Sequence, residues 1–199
     1  MSTSGSDPYT AKAAAEASPS HKIEELKTII GESKFSMLTT RSPNGLLHSR
    51  AMSAAGTDGL VFSFIANTDS GKFDDLTHDE QVNISWSSPS STNWASAAGK
   101  ASVLKDAEHI KPLWNPAVKA WFGDLGDGKH TGDYNDPRVA VIQVVPAEIR
   151  YWIKTKTTLT QAYEVAKGAL TGETAAPGAL RVINASDLEL ARKIDDKKV

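Results

Sequence analysis

The chain has 199 residues, with 22 Lys and Arg against 24 Asp and Glu and a formal net charge of −2. That near-balance excludes the basic excess of a nucleic-acid binder and the acidic tail of a histone partner, and the length suits one domain with appendages. With 0 Cys, disulfides, thiol nucleophiles and Cys-held zinc or iron–sulfur centres are excluded.

Residues 1–20 are small and polar and read as a disordered arm; they lack the charged-then-apolar order of a secretory signal. A helix is predicted from Ser20 to Ile30, capped by Ser20, striped by Ile23, Leu26, Ile29 and Ile30, and ended by Gly31. Strands are predicted at Phe35–Arg41 and Leu46–Ser53, joined by the hairpin signal Asn44-Gly45. Gly56–Gly59 turns into a strand at Leu60–Ala66, and Ser70–His78 reads as a short helix capped by Asp69 or Ser70. Val82–Ser87 and Trp94–Leu104 are two further strands. Pro112 and Pro116 split Asp106–Phe122 into two short helices. After the Gly- and Asp-rich loop Gly123–Pro137, Val139–Val145 is apolar throughout, as in a strand buried on both faces, and Ala147–Lys154 is a last strand. Leu159–Leu170 and Ser186–Ile194 read as helices around a loop at Gly172–Gly178, with Ser186 as a cap.

Six or seven short strands, mostly in hairpins, favour a mainly β, α+β fold: an antiparallel barrel with peripheral helices and a C-terminal helical tail. The divisions are an arm at 1–20, a barrel domain at 21–156 and an extension at 157–199. No apolar run approaches the ~20 residues of a membrane helix, so a soluble, cytoplasmic protein is expected.

Several catalytic patterns fail. Gly123–His130 nearly spells the phosphate-binding P-loop, but His130 stands where Ser or Thr must hold magnesium, and Asp124 and Asp127 repel phosphate. No Gly-x-Gly-x-x-Gly follows a strand, no His-Glu-x-x-His is present, and no Gly-x-Ser-x-Gly elbow occurs. Asn83 and Asn184 match the glycosylation pattern, which has no meaning without secretion.

Two segments at neighbouring strand ends remain. His48-Ser49-Arg50-Ala51-Met52-Ser53 places His48, Arg50 and Met52 on one strand face. Phe64 to Lys72 leaves a strand and enters a helix with Ser70, Gly71 and Lys72 at its start, where free amides, a hydroxyl and an ammonium favour an anion. The plain alternative is an ordinary cap and a surface arginine. In the third segment, Leu113–Gly123, Trp114, Val118, Trp121 and Phe122 fall at i, i+4, i+7 and i+8, one helical face. Asn115 is placed to cap it and Pro116 to begin it. That stripe reads as core packing or as the wall of a ligand cleft, with both open for different residues.

These words resemble the flavin mononucleotide (FMN)-binding split barrel of the pyridoxamine-phosphate oxidase superfamily. Within it the match is to the general stress protein branch, with its fungal blue-light-induced members. Met37–Arg41 through His48–Met52, Asp69–Lys72 and Leu113–Phe122 carry the likeness, over roughly Lys22 to Lys154. The resemblance implies a homodimer with a flavin, FMN or alternatively FAD, lying between subunits. It implies that Arg50, Ala51, Met52 and Ser53 line the phosphate and one ring edge, that Ile65, Ala66 and Asn67 follow the ring, and that Ser70 and Lys72 bind phosphate. Trp94 would come from the partner, and Trp152 sits where the oxidases place a flavin-facing Trp. No catalytic residue and no metal ligand is assigned. Ala66 stands where relatives often carry Thr, and Gly71 replaces a residue that is basic in the true oxidases. The Arg-rich segments that hold vitamin substrate there are absent from Ile153–Lys156 and from the chain end, so oxidation of pyridoxamine phosphate is not expected. A flavin-binding stress module is the first reading. A flavin-dependent oxidoreductase is the second, and a haem-binding split barrel with His48 or His130 as ligand is the third.

Overall fold

The protein is described by a computed structural model covering residues 17–155, 160, 167, 171 and 177–195. Most of the expected arm, and most of the helix expected at Leu159–Leu170 with the loop after it, lie outside the described residues.

The first helix, α1, spans Pro19–Glu32. Its cap is Ser18 rather than Ser20: the Ser18 hydroxyl accepts from His21 N at 3.3 Å, because Pro19 takes the first helical position, where its missing N–H costs nothing. The helix runs past Gly31 and closes at Ser33, whose N–H donates to Ile30 O. Ile23, Leu26 and Ile29 are buried against the sheet.

Among the described residues eight strands form one antiparallel sheet: β1 Ser36–Arg41, β2 Leu47–Met52, β3 Gly56–Asp58, β4 Val61–Asn67, β5 Gln81–Ser87, β6 Trp94–Leu104, β7 Val139–Lys154 and β8 Gly178–Ile183. Their order is β2-β1-β5-β6-β7-β4-β3, with β8 also pairing with β7. The sheet is open, and its terminal strands β2 and β3 are consecutive in sequence. The expected strands are all present. Added to them are β3, inside what reads as a turn, and β8, which begins at the last residue of the expected loop and runs through residues the sequence assigns to no element. The β1–β2 hairpin turns on Asn44-Gly45 as its sequence predicts, with Gly45 at φ 84° and its N–H donating to Ser42 O at 2.8 Å.

The two strands expected at Val139–Val145 and Ala147–Lys154 are one 16-residue strand, β7. Opposite Ala98 and Gly99 the register slips: Ala98 faces Glu148 and Gly99 faces Pro146, leaving Ala147 unpaired as a bulge. The extra residue reverses which side chains point inward. Ile142 and Val144 enter the main core before it, and Ile149 and Tyr151 enter after it. The first half of β7 pairs with β4 and the second half with β8, so the bulge lets one strand serve two parts of the sheet.

Two apolar clusters occupy the two faces. The inner one joins Leu38, Phe62, Phe64, Ile84, Trp86 and Tyr151 to α1 and to α4, Ala185–Asp195. The outer one joins Val139 and Val141 to Ile110 and Phe122 from the segment between β6 and β7. Asn184 caps α4 in place of the expected Ser186: its side-chain oxygen accepts from the N–H of Ser186 at 3.0 Å and of Asp187 at 3.2 Å.

Candidate functional site

A cleft of about 520 Å³ opens where the two ends of the sheet approach each other. One side is the end of β2 and the residues after it, Ala51, Met52 and Ser53; the other is the end of β4, Ile65, Ala66 and Asn67, with Lys72 beyond it. Seven of the residues expected at a ligand site therefore meet here, from segments that the sheet order places at opposite ends. Alternation along β4 decides how each takes part. Phe62, Phe64 and Ala66 belong to the inner core, while Ile65 packs on the outer cluster, so the Ala66 side chain is spent on the core.

The second helix, α2, runs Lys72–His78 and starts after the expected position. Gly71 precedes it with no side-chain cap, so neither Asp69 nor Ser70 caps it. Ser70 Oγ instead donates to Asn67 O at 2.7 Å and accepts from Lys72 Nζ at 2.5 Å, while Asn67 Oδ1 accepts from Asp69 N at 2.9 Å. Ser70 does not itself line the cleft; it is bonded to Lys72, which does. Partial burial, and then the nearby Arg50 charge, lower the Lys72 ammonium from its usual value.

Arg50 is not among the cleft-lining residues. Its guanidinium turns inward, donating to Thr40 Oγ1 at 2.6 Å and Leu38 O at 3.3 Å and lying 3.4 Å from Asp75 Oδ2. Asp75, on α2, is buried and also accepts from Thr40 Oγ1 at 2.6 Å, with His48 Nδ1 at 3.5 Å. Burial pushes the Asp75 carboxyl up, but the hydrogen bonds from Thr40 and His48 and the His48 and Arg50 charges outweigh it and hold the group below the usual value. The network ties the helix that follows β4 to strands β1 and β2, across the mouth of the open sheet.

Trp94 and Trp152 do not line this cleft. They are cross-strand neighbours at the far end of β7 from Val139, the partner of Asn67. Trp152 is buried and Trp94 is 39% exposed.

The aromatic segment closes the outer side of the cleft. It is one turn of α-helix, α3 at Ala107–Ile110, followed by 3₁₀ turns at Lys111–Leu113 and Pro116–Trp121, with Asn115 capping through Ala117 N at 2.9 Å. The segment is 3₁₀ rather than α-helical, yet three of the four stripe residues stay together: Trp114 and Val118 pack against the outer cluster that holds Phe122, and Trp121 alone leaves it. Phe122 is buried and meets Trp114 at a ring separation of 5.9 Å, whereas Trp121 is 84% exposed at the cleft edge. Core packing and cleft wall are both realised, by different residues.

Sequence reasoning missed the groups that hold this wall. Arg138, buried, makes a two-pronged pair with buried Asp136 (Nε to Oδ1 3.0 Å, Nη2 to Oδ2 2.7 Å) and donates to Phe122 O at 3.0 Å and Gly123 O at 2.8 Å. The only available signal was an Arg opening an apolar strand two residues after an Asp.

An open antiparallel sheet, bent at a bulge and cleft where its ends meet, defines a split-barrel α+β protein. A profile of the family described as pyridoxamine 5'-phosphate oxidase-like matches residues 21–176, and the chain belongs to that family. It is 42% identical over 187 residues to Protein bli-3 of Neurospora crassa, covering 92% of this chain and 90% of that protein. Among solved structures, General Stress Protein 26 from Bacillus anthracis is similar with TM-score 0.55 at 22% identity, covering 66% of this chain and 93% of its own. A Nostoc punctiforme protein described as pyridoxamine 5'-phosphate oxidase-related and FMN binding is similar with TM-score 0.52 at 16% identity, over 85% and 100% of the two chains. These likenesses confirm the fold expected from the sequence. No described helix is long and apolar enough to cross a membrane.

Proposed function

We propose that the chain is an FMN-binding split-barrel protein of the general stress protein type, holding its flavin in the cleft between the sheet ends. The observation that carries the reading is the pairing of a largely apolar cleft with a single cationic end at Lys72. A planar ring with a phosphate tail needs that division. Asn67 and the β4 backbone would follow the ring edge, Ala51, Met52 and Ser53 the other side, and Ser70 with Lys72 the phosphate. Arg50 would add its charge from behind Thr40. A bound flavin supplies redox chemistry; the protein supplies orientation, charge and exclusion of water.

A second copy of the chain is the proposed partner, contributing Trp94 and Trp152. Supporting this, α1 and α4 pack on the inner face of the sheet. The outer face of its second half carries half-exposed Met37, Ser85 and Ser96 beside exposed Ala51, Ala98 and Val182. The proposed flavin site lies within 21–156; the extension proposed at 157–199 returns to the same sheet through β8 and to its core through α4.

Lys72 is the one titratable side chain among the described lining residues. That favours a binding module over an oxidoreductase with its own general acid or base, and no turnover of pyridoxamine phosphate is expected. The test is titration of the purified protein with FMN and with riboflavin by fluorescence quenching, alongside light scattering and an aerobic assay for hydrogen peroxide. Tight FMN binding by a dimer is the expected outcome. Absence of binding to either flavin would overturn the reading. Turnover of pyridoxamine phosphate on the order of 1 per second would replace it with an oxidase.

A further inference from the structure

The buried pair Asp136–Arg138 satisfies more than itself. Asp136 accepts from Gly132 N at 2.8 Å and Arg138 N at 2.9 Å besides the guanidinium, and Arg138 O accepts from Thr68 N at 2.8 Å. The two residues are 2% and 7% exposed. A buried ion pair is weak grounds for stability, since desolvation offsets its attraction. Its geometry here has a definite target. The carbonyls of Phe122 and Gly123 end a 3₁₀ segment, where no backbone partner remains for them, and the guanidinium takes both. The backbone of the same residue holds Thr68, next to Asn67 at the end of β4. Gly132 sits so close to Gly123 that a Cβ would lie 3.0 Å from Gly123 O, so the loop is folded back onto this point.

We propose that Arg138 is the positioning residue of the cleft: one side chain fixes the Trp121–Phe122 wall against the strand end that carries Asn67, and so sets the gap between them. Its role toward a flavin ring rests on the function proposed above. A lysine keeps the charge but has no planar fork to reach two carbonyls and a carboxylate at once.

The experiment uses the full chain labelled with 5-fluorotryptophan, whose five resonances are assigned by single Trp→Phe substitutions. Trp114 and Trp121 report the wall; Trp86, Trp94 and Trp152 report the sheet. In Arg138→Lys the two wall resonances should shift or broaden and the other three stay in place. FMN and riboflavin should lose affinity by the same factor, roughly tenfold, because the wall meets the ring that both share. Unchanged wall resonances would overturn the proposal. So would equal shifts in all five, which would make the pair a general support of the fold, or a moved wall with unchanged affinity. If Arg138→Lys does not fold, Asp136→Asn, which removes the carboxylate that holds the guanidinium on the two carbonyls, must give the same pattern. Failure of the unsubstituted chain to bind either flavin removes the functional reading, and the fluorine spectra then decide by themselves whether Arg138 sets the wall.

Discussion

Asp75 on α2, the helix that leaves β4, and Arg50 on β2 stand 3.4 Å apart, although 25 residues separate them in the chain. Thr40 Oγ1 sits between them, accepting from Arg50 at 2.6 Å and donating to Asp75 at 2.6 Å. The split in the barrel is therefore laced by a buried polar chain on its inner side, while Lys72 remains directed to the cleft. Of the two cations expected to share one anion, Lys72 lines the cleft, and Arg50 is bonded to the Thr40–Asp75 pair behind it.

Lys72→Ala is accordingly expected to weaken FMN by about 1.5–3 kcal/mol, one to two decades, and to leave riboflavin nearly unchanged. Arg50→Ala should cost stability first, about 1–3 kcal/mol, because Asp75 stays buried with one donor fewer. Paired flavin titrations and urea unfolding of both variants measure this. Equal losses for the two flavins in Lys72→Ala would remove the phosphate assignment.

Stability should fall in acid. The Asp75 carboxyl is held low against the upward push of burial by Thr40, His48 and Arg50; Asp136 is held low first by the Arg138 hydrogen bond. A depressed carboxyl contributes above its unfolded value, about 4, and the contribution is lost as pH drops toward its folded value. Urea midpoints should decline steadily below about pH 5, and Asp75→Asn should flatten part of that slope. Asp106 and Asp127 are shifted in the same direction, so some slope will persist. An unaltered slope in Asp75→Asn would contradict the assignment.

Tyr151 predicts an alkaline limit. Burial, and then the hydrogen bond and charge of Glu25, raise its phenol above the ordinary value. Its hydroxyl donates to Glu25 Oε2 at 2.7 Å, and Arg181 Nε reaches the same oxygen at 3.2 Å. Below about pH 10 the phenol is protonated in both states and its stabilisation is complete. Above that the unfolded chain ionises first, and the stabilisation declines. Tyr151→Phe should cost about 0.5–1.5 kcal/mol at neutral pH and remove the decline between about pH 10 and 11.5. Parallel unfolding curves of variant and parent across that range would show the residue has no such role.

Gly99→Ala tests the bulge. A Cβ there would lie 2.3 Å from Val145 O and 2.7 Å from Pro146 Cα, both backbone, with no side chain to swing aside. A loss at or above the upper end of about 1–3 kcal/mol is expected, against little change for Gly71→Ala, where a Cβ meets nothing within 4 Å. Thermal unfolding of the two variants gives the comparison.

By itself the sequence determined the elements: the β1–β2 hairpin from Asn44-Gly45, β4 to β6 from their alternation and the break at Pro116. Such signals are local, set by turn chemistry and period. The words Ala51–Ser53 and Ile65–Asn67, which line the cleft, were singled out by their resemblance to the split-barrel family. Only tertiary structure decided that these two stretches face each other. The joining of Val139–Lys154 into one strand was equally hidden, since a bulge reverses the inward parity only when a partner strand sets the register. A six-residue edge such as β8 is assigned to no element until β7 is there to pair with it. The contact of Arg50 with Asp75 was hidden in the same way, because the two are 25 residues apart in sequence and 3.4 Å apart in space. Arg138 looked like nothing at all, because its targets are backbone carbonyls, which every residue possesses and no pattern of side chains reveals.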